Sequence, residues 1–230
     1  MGAVSPARVR PYMLEGCPPL QAMKPPNGAV SRLSSMPTEL KPQDGVLIEF
    51  AAGPSLEGLE AALAALGRSA GADAVSAHRD HDSGAVAAYL WGVSDLTKAD
   101  SLAAFASGPV ETTRLKGVRR IKGTSFAEAP THHYVVRTDA APGWDAELQR
   151  WYDEEHLGGL AGVPGNVLSQ RSLCLDHDPK YYACYDLVGP DVPDTAAWLA
   201  VRGSAWSDRV RPRFTNTLRT MFVDLFRLTL

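Results

Sequence analysis

The chain has 230 residues, 45% of them hydrophobic and 21% charged, and a formal net charge of -3. That length is ample for a packed core and suits one large domain or two small ones. With no basic excess to attract a phosphate backbone, nucleic acid is not an expected partner, and no apolar run approaches the ~18 residues of a membrane span.

Three cysteines, Cys17, Cys174 and Cys184, are too few and too odd in number for a disulfide framework. A reducing, cytoplasmic setting is expected. Residues 1–12 lack the compact apolar segment of a secretory signal. Residues 1–43 carry Pro18, Pro19, Pro25, Pro26, Pro37 and Pro42 without periodicity, and read as an irregular arm. Met36 stands just before ordered patterning begins, as an alternative start would. The arm is either an extension without a function or a segment that wraps a partner subunit.

From Gly45 the pattern sharpens. Residues 46–51 (VLIEFA) predict a buried strand, and Ser55 can cap a helix to about Ser69 with Leu56, Leu59, Leu63 and Leu66 in register. Residues 74–78 and 85–91 read as strands around the turn-forming stretch Asp80-His81-Asp82-Ser83-Gly84. Thr97 can cap a second helix that Gly108-Pro109 ends, and residues 117–126 predict a strand. After Pro130 the order returns: strand 132–138, helix 144–160, strand pair 166–175 and 180–188, helix 195–206, closing strand 217–228.

Some residues recur as well. Asp80-His81-Asp82 matches Asp176-His177-Asp178, Tyr89 matches Tyr185, and Phe126 matches Phe222, all at one offset. A constant offset argues for tandem duplication of a βαββαβ, or ferredoxin-like, unit. The expected fold class is therefore α+β, with two such units (44–129 and 130–230) packed sheet to sheet as a barrel, since each sheet has one apolar face to cover.

Ionisable groups point inward together at Trp151-Tyr152-Asp153-Glu154-Glu155-His156-Leu157. At about 100° per residue, Trp144, Leu148, Trp151 and Tyr152 share an apolar arc with Glu155 at its centre and His156 on its edge. A carboxylate aimed at a buried surface needs a partner, and an imidazole beside it can titrate near neutral pH. With Val163-Pro164-Gly165 and Gln170-Arg171, this stretch resembles the W-Y-x-x-E-H-L…PGF…R signature of EthD-like dimeric α+β barrel proteins. The resemblance spans roughly residues 131–225 and reaches the first half only as a fold.

Relatives in that superfamily include cofactor-free monooxygenases, muconolactone isomerase, polyketide cyclases, and haem-dependent dehydratases and peroxidases. The resemblance implies a pocket between helices and sheet, with a His or Tyr transferring a proton. Asn166 departs from it, standing where an aromatic usually follows Pro-Gly. The first half has no counterpart of the motif and reads as a structural partner, leaving one site per chain.

His156 is the candidate general acid or base, or else it caps its own helix C-terminus. Glu155 would orient it, and Tyr152 would donate a hydrogen bond or simply pack. Trp151, Tyr134, Arg171, Tyr182 and Arg219 are candidate substrate-binding residues. Either His132 or His133 could join them, because strand neighbours face opposite sides. A buried guanidinium at Arg171 or Arg219 would need Glu155 or an anionic substrate. His78 and His81 make a His-x-x-His pair, too few ligands for zinc. Gly158, Gly159 and Gly162 read as helix terminators, and no Gly-rich phosphate loop follows a strand.

The expected function is a cofactor-independent enzyme of small-molecule metabolism acting on a carbonyl-bearing or phenolic, polyketide-like substrate, as a cyclase, isomerase, lyase or monooxygenase. Two alternatives stand beside it: a non-catalytic barrel that holds a hydrophobic ligand, and a haem-dependent barrel enzyme. No metal is expected, and whether the chain pairs into a homodimer stays open.

Overall fold

Among the described residues of the computed structural model (38–50, 57–94, 96 and 110–230), the chain forms nine strands and five α-helices. In the first half these are β1 (Glu39–Leu40), β2 (Gly45–Phe50), α1 (Leu59–Ala70), β3 (Ala74–Asp80), β4 (Val86–Trp91) and β5 (Val110–Lys122). The second half has β6 (His132–Ala140), α2 (Asp145–Trp151), α3 (Leu157–Ala161), β7 (Asn166–Cys174), β8 (Tyr181–Leu187), α4 (Ala196–Arg202), α5 (Ala205–Val210) and β9 (Phe214–Thr229).

Every strand pairing is antiparallel. The order β5-β2-β4-β3-β9-β6-β8-β7 closes through β5–β7 into an eight-stranded barrel, with β1 added beside β5. Two long strands make the closure. β5 pairs with β2 through Val110–Leu115 and with β7 from Leu115 to Lys122; β9 pairs with β6 and then, from Phe222 on, with β3. The halves therefore join edge to edge by backbone hydrogen bonds, where two separate stacked sheets were expected. Closure leaves neither half with an unpaired edge, and that removes a template for aggregation.

Period-two alternation sorts the side chains into three apolar groups. Leu47, Tyr89, Trp91, Leu115, Val135, Tyr182, Cys184 and Phe222 fill the barrel. Val46, Ile48, Val75, Ala88 and Leu90 pack outward under α1. Val136, Ala183, Tyr185 and Leu187 pack outward under the second-half helices. Inside the barrel Arg137 holds Glu49 with two hydrogen bonds of 3.0 and 2.6 Å, tying β6 to β2. Cys174 and Cys184 are buried and free.

The structure alters several expected elements. β5 begins seven residues early. Residues 1–37 of the arm, the caps at Ser55 and Thr97, and the second helix lie outside the described residues. α1 starts from Gly58 in the left-handed region, φ 77°. The helix expected over 195–206 breaks at Gly203-Ser204 into α4 and α5, with Thr195 and Ser204 as N-caps.

The matched aromatic pairs also fail as equivalents. Tyr89 faces the barrel interior, whereas Tyr185 faces the helices. A one-residue difference in register sends a side chain to the other face of a sheet. Phe222 lies in β9, whereas Phe126 falls past the end of β5 and is exposed. The Asp-His-Asp turns do occupy corresponding hairpins, β3–β4 and β7–β8.

Candidate functional site

Between the second-half helices and the outer face of the sheet lies a small cavity of about 30 Å³, or about 360 Å³ once the open solvent at its mouth is included. One local irregularity sets its wall. The single helix expected over 144–160 is interrupted by a π-turn, Tyr152–His156, in which the Leu157 N–H donates to the Tyr152 carbonyl. A π-turn fits one more residue into a turn than an α-helix does, so every later side chain is rotated by one position.

This reverses the roles expected of Glu155 and His156. His156 takes the inward position and is 6% exposed, while Glu155 is turned toward α5 and accepts a hydrogen bond from the Ser204 hydroxyl. Glu155 therefore braces the α4–α5 corner and makes no contact that would orient the imidazole. Gly158 and Gly159 lie within α3 and do not end the helix. A Cβ at Gly159 would meet Val201 Cγ1 at 2.9 Å, so its absence lets α4 approach.

The His156 ring stacks on Trp151, centroids 4.0 Å apart, and meets Tyr152 edge-on at 5.5 Å. Its Nδ1 is buried without a hydrogen-bond partner among the described residues. Burial, then the charges of Arg211, Arg202 and Arg171, lower its pKa to about 3. The ring is consequently neutral across the physiological range, and a capping role for an imidazolium is excluded. Burial likewise raises the Tyr152 phenol to about 12. Trp198, on α4, closes the far side against Tyr185 and Tyr134, with centroids at 5.2 and 6.2 Å.

Of the residues singled out in the sequence, the structure brings His156, Tyr152, Trp151, Tyr134 and Arg219 to this cavity. Others go elsewhere. Tyr182 faces the barrel interior, on the opposite side of the sheet from Tyr181 and Tyr185. Arg171 lies behind Tyr152, with its guanidinium 4.2 Å from the ring centroid, donating to Gln149 Oε1 at 2.7 Å and to Asp153 at 3.4 Å. Its carboxylate partner is thus Asp153 and not Glu155. His132 sits at the strand end beside Thr131, and His133 turns into the barrel.

Asn166 is fully buried and exchanges hydrogen bonds with Ser169, so it lines nothing. His78 is buried against Asp224, at 2.7 Å, while the His81 side chain is 85% exposed on the turn, so the two imidazoles do not converge. No group of three or more metal-ligating side chains converges among the described residues.

Sequence reasoning missed Arg202 and Arg211, which line the same cavity. A signal existed: from Ala196 to Thr220 the chain carries Arg202, Arg209, Arg211, Arg213 and Arg219 against the single acid Asp208. Neither Arg202, Arg211 nor Arg219 has a carboxylate within salt-bridge distance among the described residues. The one contact shown for their guanidinium groups is Arg211 with the Arg202 carbonyl, at 3.4 Å.

No protein-family model matches the chain. A search of curated proteins finds no significant relative. Solved structures do resemble it. A candidate monooxygenase from Fusobacterium nucleatum subsp. nucleatum ATCC 25586 gives a TM-score of 0.59 at 11% identity, covering 82% of this chain and 94% of its own. A second candidate monooxygenase, from Lactobacillus acidophilus NCFM, gives 0.58 at 10%, covering 82% and 97%. An anthrone oxidase-like protein gives 0.52 at 13%, covering 81% and 93%.

The chain shares its fold with these solved structures. At these identities the likeness shows the fold alone, and chemistry has to be read from the cavity. No helix among the described residues is long and apolar enough to cross a membrane.

Proposed function

We propose that this chain is a small-molecule enzyme of the EthD-like kind, built from two tandem ferredoxin-like units of which the second carries the site. The strand order supports the tandem reading: each half runs fourth-first-third-second, as β5-β2-β4-β3 and as β9-β6-β8-β7. In this reading His156 moves a proton on a carbonyl-bearing or phenolic substrate, without a dedicated cofactor.

The observation that carries the chemistry is a neutral, buried imidazole whose Nδ1 has no partner among the described residues, on the wall of a cavity also lined by Arg202, Arg211 and Arg219. The imidazole takes a proton from an activated C–H or O–H, leaving an enolate or phenolate and an imidazolium. Returning that proton to another substrate atom completes an isomerisation, cyclisation or elimination. The arginines favour the substrate anion over its neutral parent, and this offsets the weak basicity that burial imposes on His156.

The anthrone oxidase-like neighbour suggests a probe, since the methylene of anthrone is acidified by its ring carbonyl. In D₂O the protein is expected to accelerate deuterium exchange at that methylene and at those of related polyketide-like ketones, followed by NMR. His156→Gln should abolish the acceleration while remaining folded. Full exchange by a folded variant would refute the assignment.

A second reading, a non-catalytic binding barrel, is favoured by the same low basicity of His156. It predicts ligand binding with no exchange in either protein. The haem alternative does not fit these residues: the imidazole lies flat on Trp151, and the cavity itself, at about 30 Å³, is far below the size of ligand pockets.

A further inference from the structure

We infer that Arg119, a residue of the first half, is a positioning residue for the cavity in the second: it holds the backbone carbonyl that the π-turn sets free, and so keeps His156 on the inward face. This rests on the reading of His156 as the working group and adds what fixes its register.

In an α-helix the Leu157 N–H would donate to the Asp153 carbonyl, four residues back. Here it donates to the Tyr152 carbonyl instead. The Asp153 carbonyl has thus lost its helical donor, and Arg119 Nη1 donates to it. Glu39, on β1, aims that guanidinium by accepting from its Nε at 2.8 Å and from its Nη2. Arg119 reaches the turn because β5 extends beyond β2 to pair with β7. The outer face of β5 there carries Ile121 into the second-half core, and Arg119 shares that face. Arg119 also lies directly opposite Arg171 in this pairing, and like charges so placed are destabilising without partners. Asp153 serves both, with its carbonyl toward Arg119 and its carboxylate 3.4 Å from Arg171.

Two registers of the segment therefore compete. The π-turn leaves a carbonyl for Arg119 and stacks His156 on Trp151. An unbroken α-helix would return that carbonyl to Leu157 and bring Glu155 to the inward position. Arg119 gains its bond only in the first, and a bond from a charged donor shifts such an equilibrium about tenfold.

The test is NMR on the full chain, without substrate. Arg119→Met keeps the apolar stem and removes the donor. It should raise the population of unstacked His156 about tenfold, read from chemical exchange of its ring signals, and speed hydrogen exchange at the Leu157 amide by a similar factor. Arg119→Lys, which keeps a charged donor, should recover part of both. Glu39→Gln should act in the same direction more weakly, and it serves where Arg119→Met does not fold. Deleting Glu154 lets the Gly158 N–H take the Asp153 carbonyl at α-helical spacing, so in that background Arg119→Met should change neither reading.

No change in either reading, or the same change with and without Glu154, would overturn the inference. A register shift in a protein that shows no proton exchange would sink the proposed chemistry alone. Undiminished stacking in Arg119→Met, with proton exchange intact in the parent, would sink this inference alone.

Discussion

The imidazole of His156 lies against the indole of Trp151 with 19° between their planes, although the two residues are five apart in a helical segment. An α-helix brings i and i+4 onto one face, so a separation of five becomes a contact only through the π-turn. The extra residue must be accommodated outward, and Asp153 and Glu154 are the exposed members of the turn. Deleting Glu154 should restore an ordinary turn while leaving His156 stacked on Trp151. The one loss is an exposed ion pair with Arg150, at 3.3 Å, of the kind worth about 0–1 kcal/mol. Stability measured by urea unfolding should change by no more than about 1 kcal/mol, and the deuterium-exchange activity should persist. Loss of the fold would show that the turn does more than set register.

His156 trades stability for chemistry. Its Nδ1 is buried without a partner, and an unsatisfied buried polar atom costs about 1–3 kcal/mol. His156→Leu should therefore raise the thermal midpoint while abolishing proton exchange. A variant less stable than the parent would mean that the imidazole has a partner in solution, such as an ordered water.

Glu155 and Ser204 form a brace. The Ser204 hydroxyl bonds Glu155 and Ser207 Oγ and accepts from the Ser207 N–H at 3.0 Å, so one side chain both caps α5 and ties it to the π-turn. Ser204→Ala should cost about 1–2 kcal/mol in urea unfolding, the usual worth of a lost N-cap and its bonds. Glu155→Gln should cost less, because an amide oxygen can still accept from the hydroxyl. Neither change should shift the titration of His156 followed by NMR; a shift in the Gln variant would restore Glu155 as an orienting group.

The strands were legible because alternating apolar residues between turn-forming stretches leave few other solutions, and both hairpins with their Asp-His-Asp turns were read in place. Barrel closure was not: the residues that close it, Leu115–Lys122 against β7 and Phe222–Thr229 against β3, lie largely within strands read from the sequence, but nothing in their alternation names a partner in the other half. The helix face was misread at one point for a definite reason. Projection at 100° per residue presumes a uniform helix, and a single π-turn moved the inward position from Glu155 to His156. Arg202 and Arg211 escaped notice because they lie on either side of the α4–α5 corner, where no periodicity links them.

Acid should destabilise the fold through its buried histidines. His78 is held neutral inside the barrel with its pKa lowered to about 4, by burial first and then by His133, whose ring is stacked 4.2 Å away. Arg227 adds to the lowering, while the Asp224 carboxylate, 2.7 Å from Nδ1, opposes it. His156 behaves alike, near 3. In the unfolded chain both imidazoles take up protons near the ordinary 6.5. Between that value and about 4 the unfolded state therefore binds up to two more protons than the folded one. Stability is full above the unfolded pKa and falls with acidification, by up to about 1.4 kcal/mol per pH unit for each group. Asp224, lowered by its bonds from His78 and Arg227, adds its own loss only once pH drops through the carboxylate range. Urea midpoints measured from pH 7.5 to 4.5 should decline across that interval. His156→Gln should remove close to half of the slope, and His78→Gln much of the remainder if it folds. A flat profile in the parent protein would mean that neither ring is shielded from protons in the folded state.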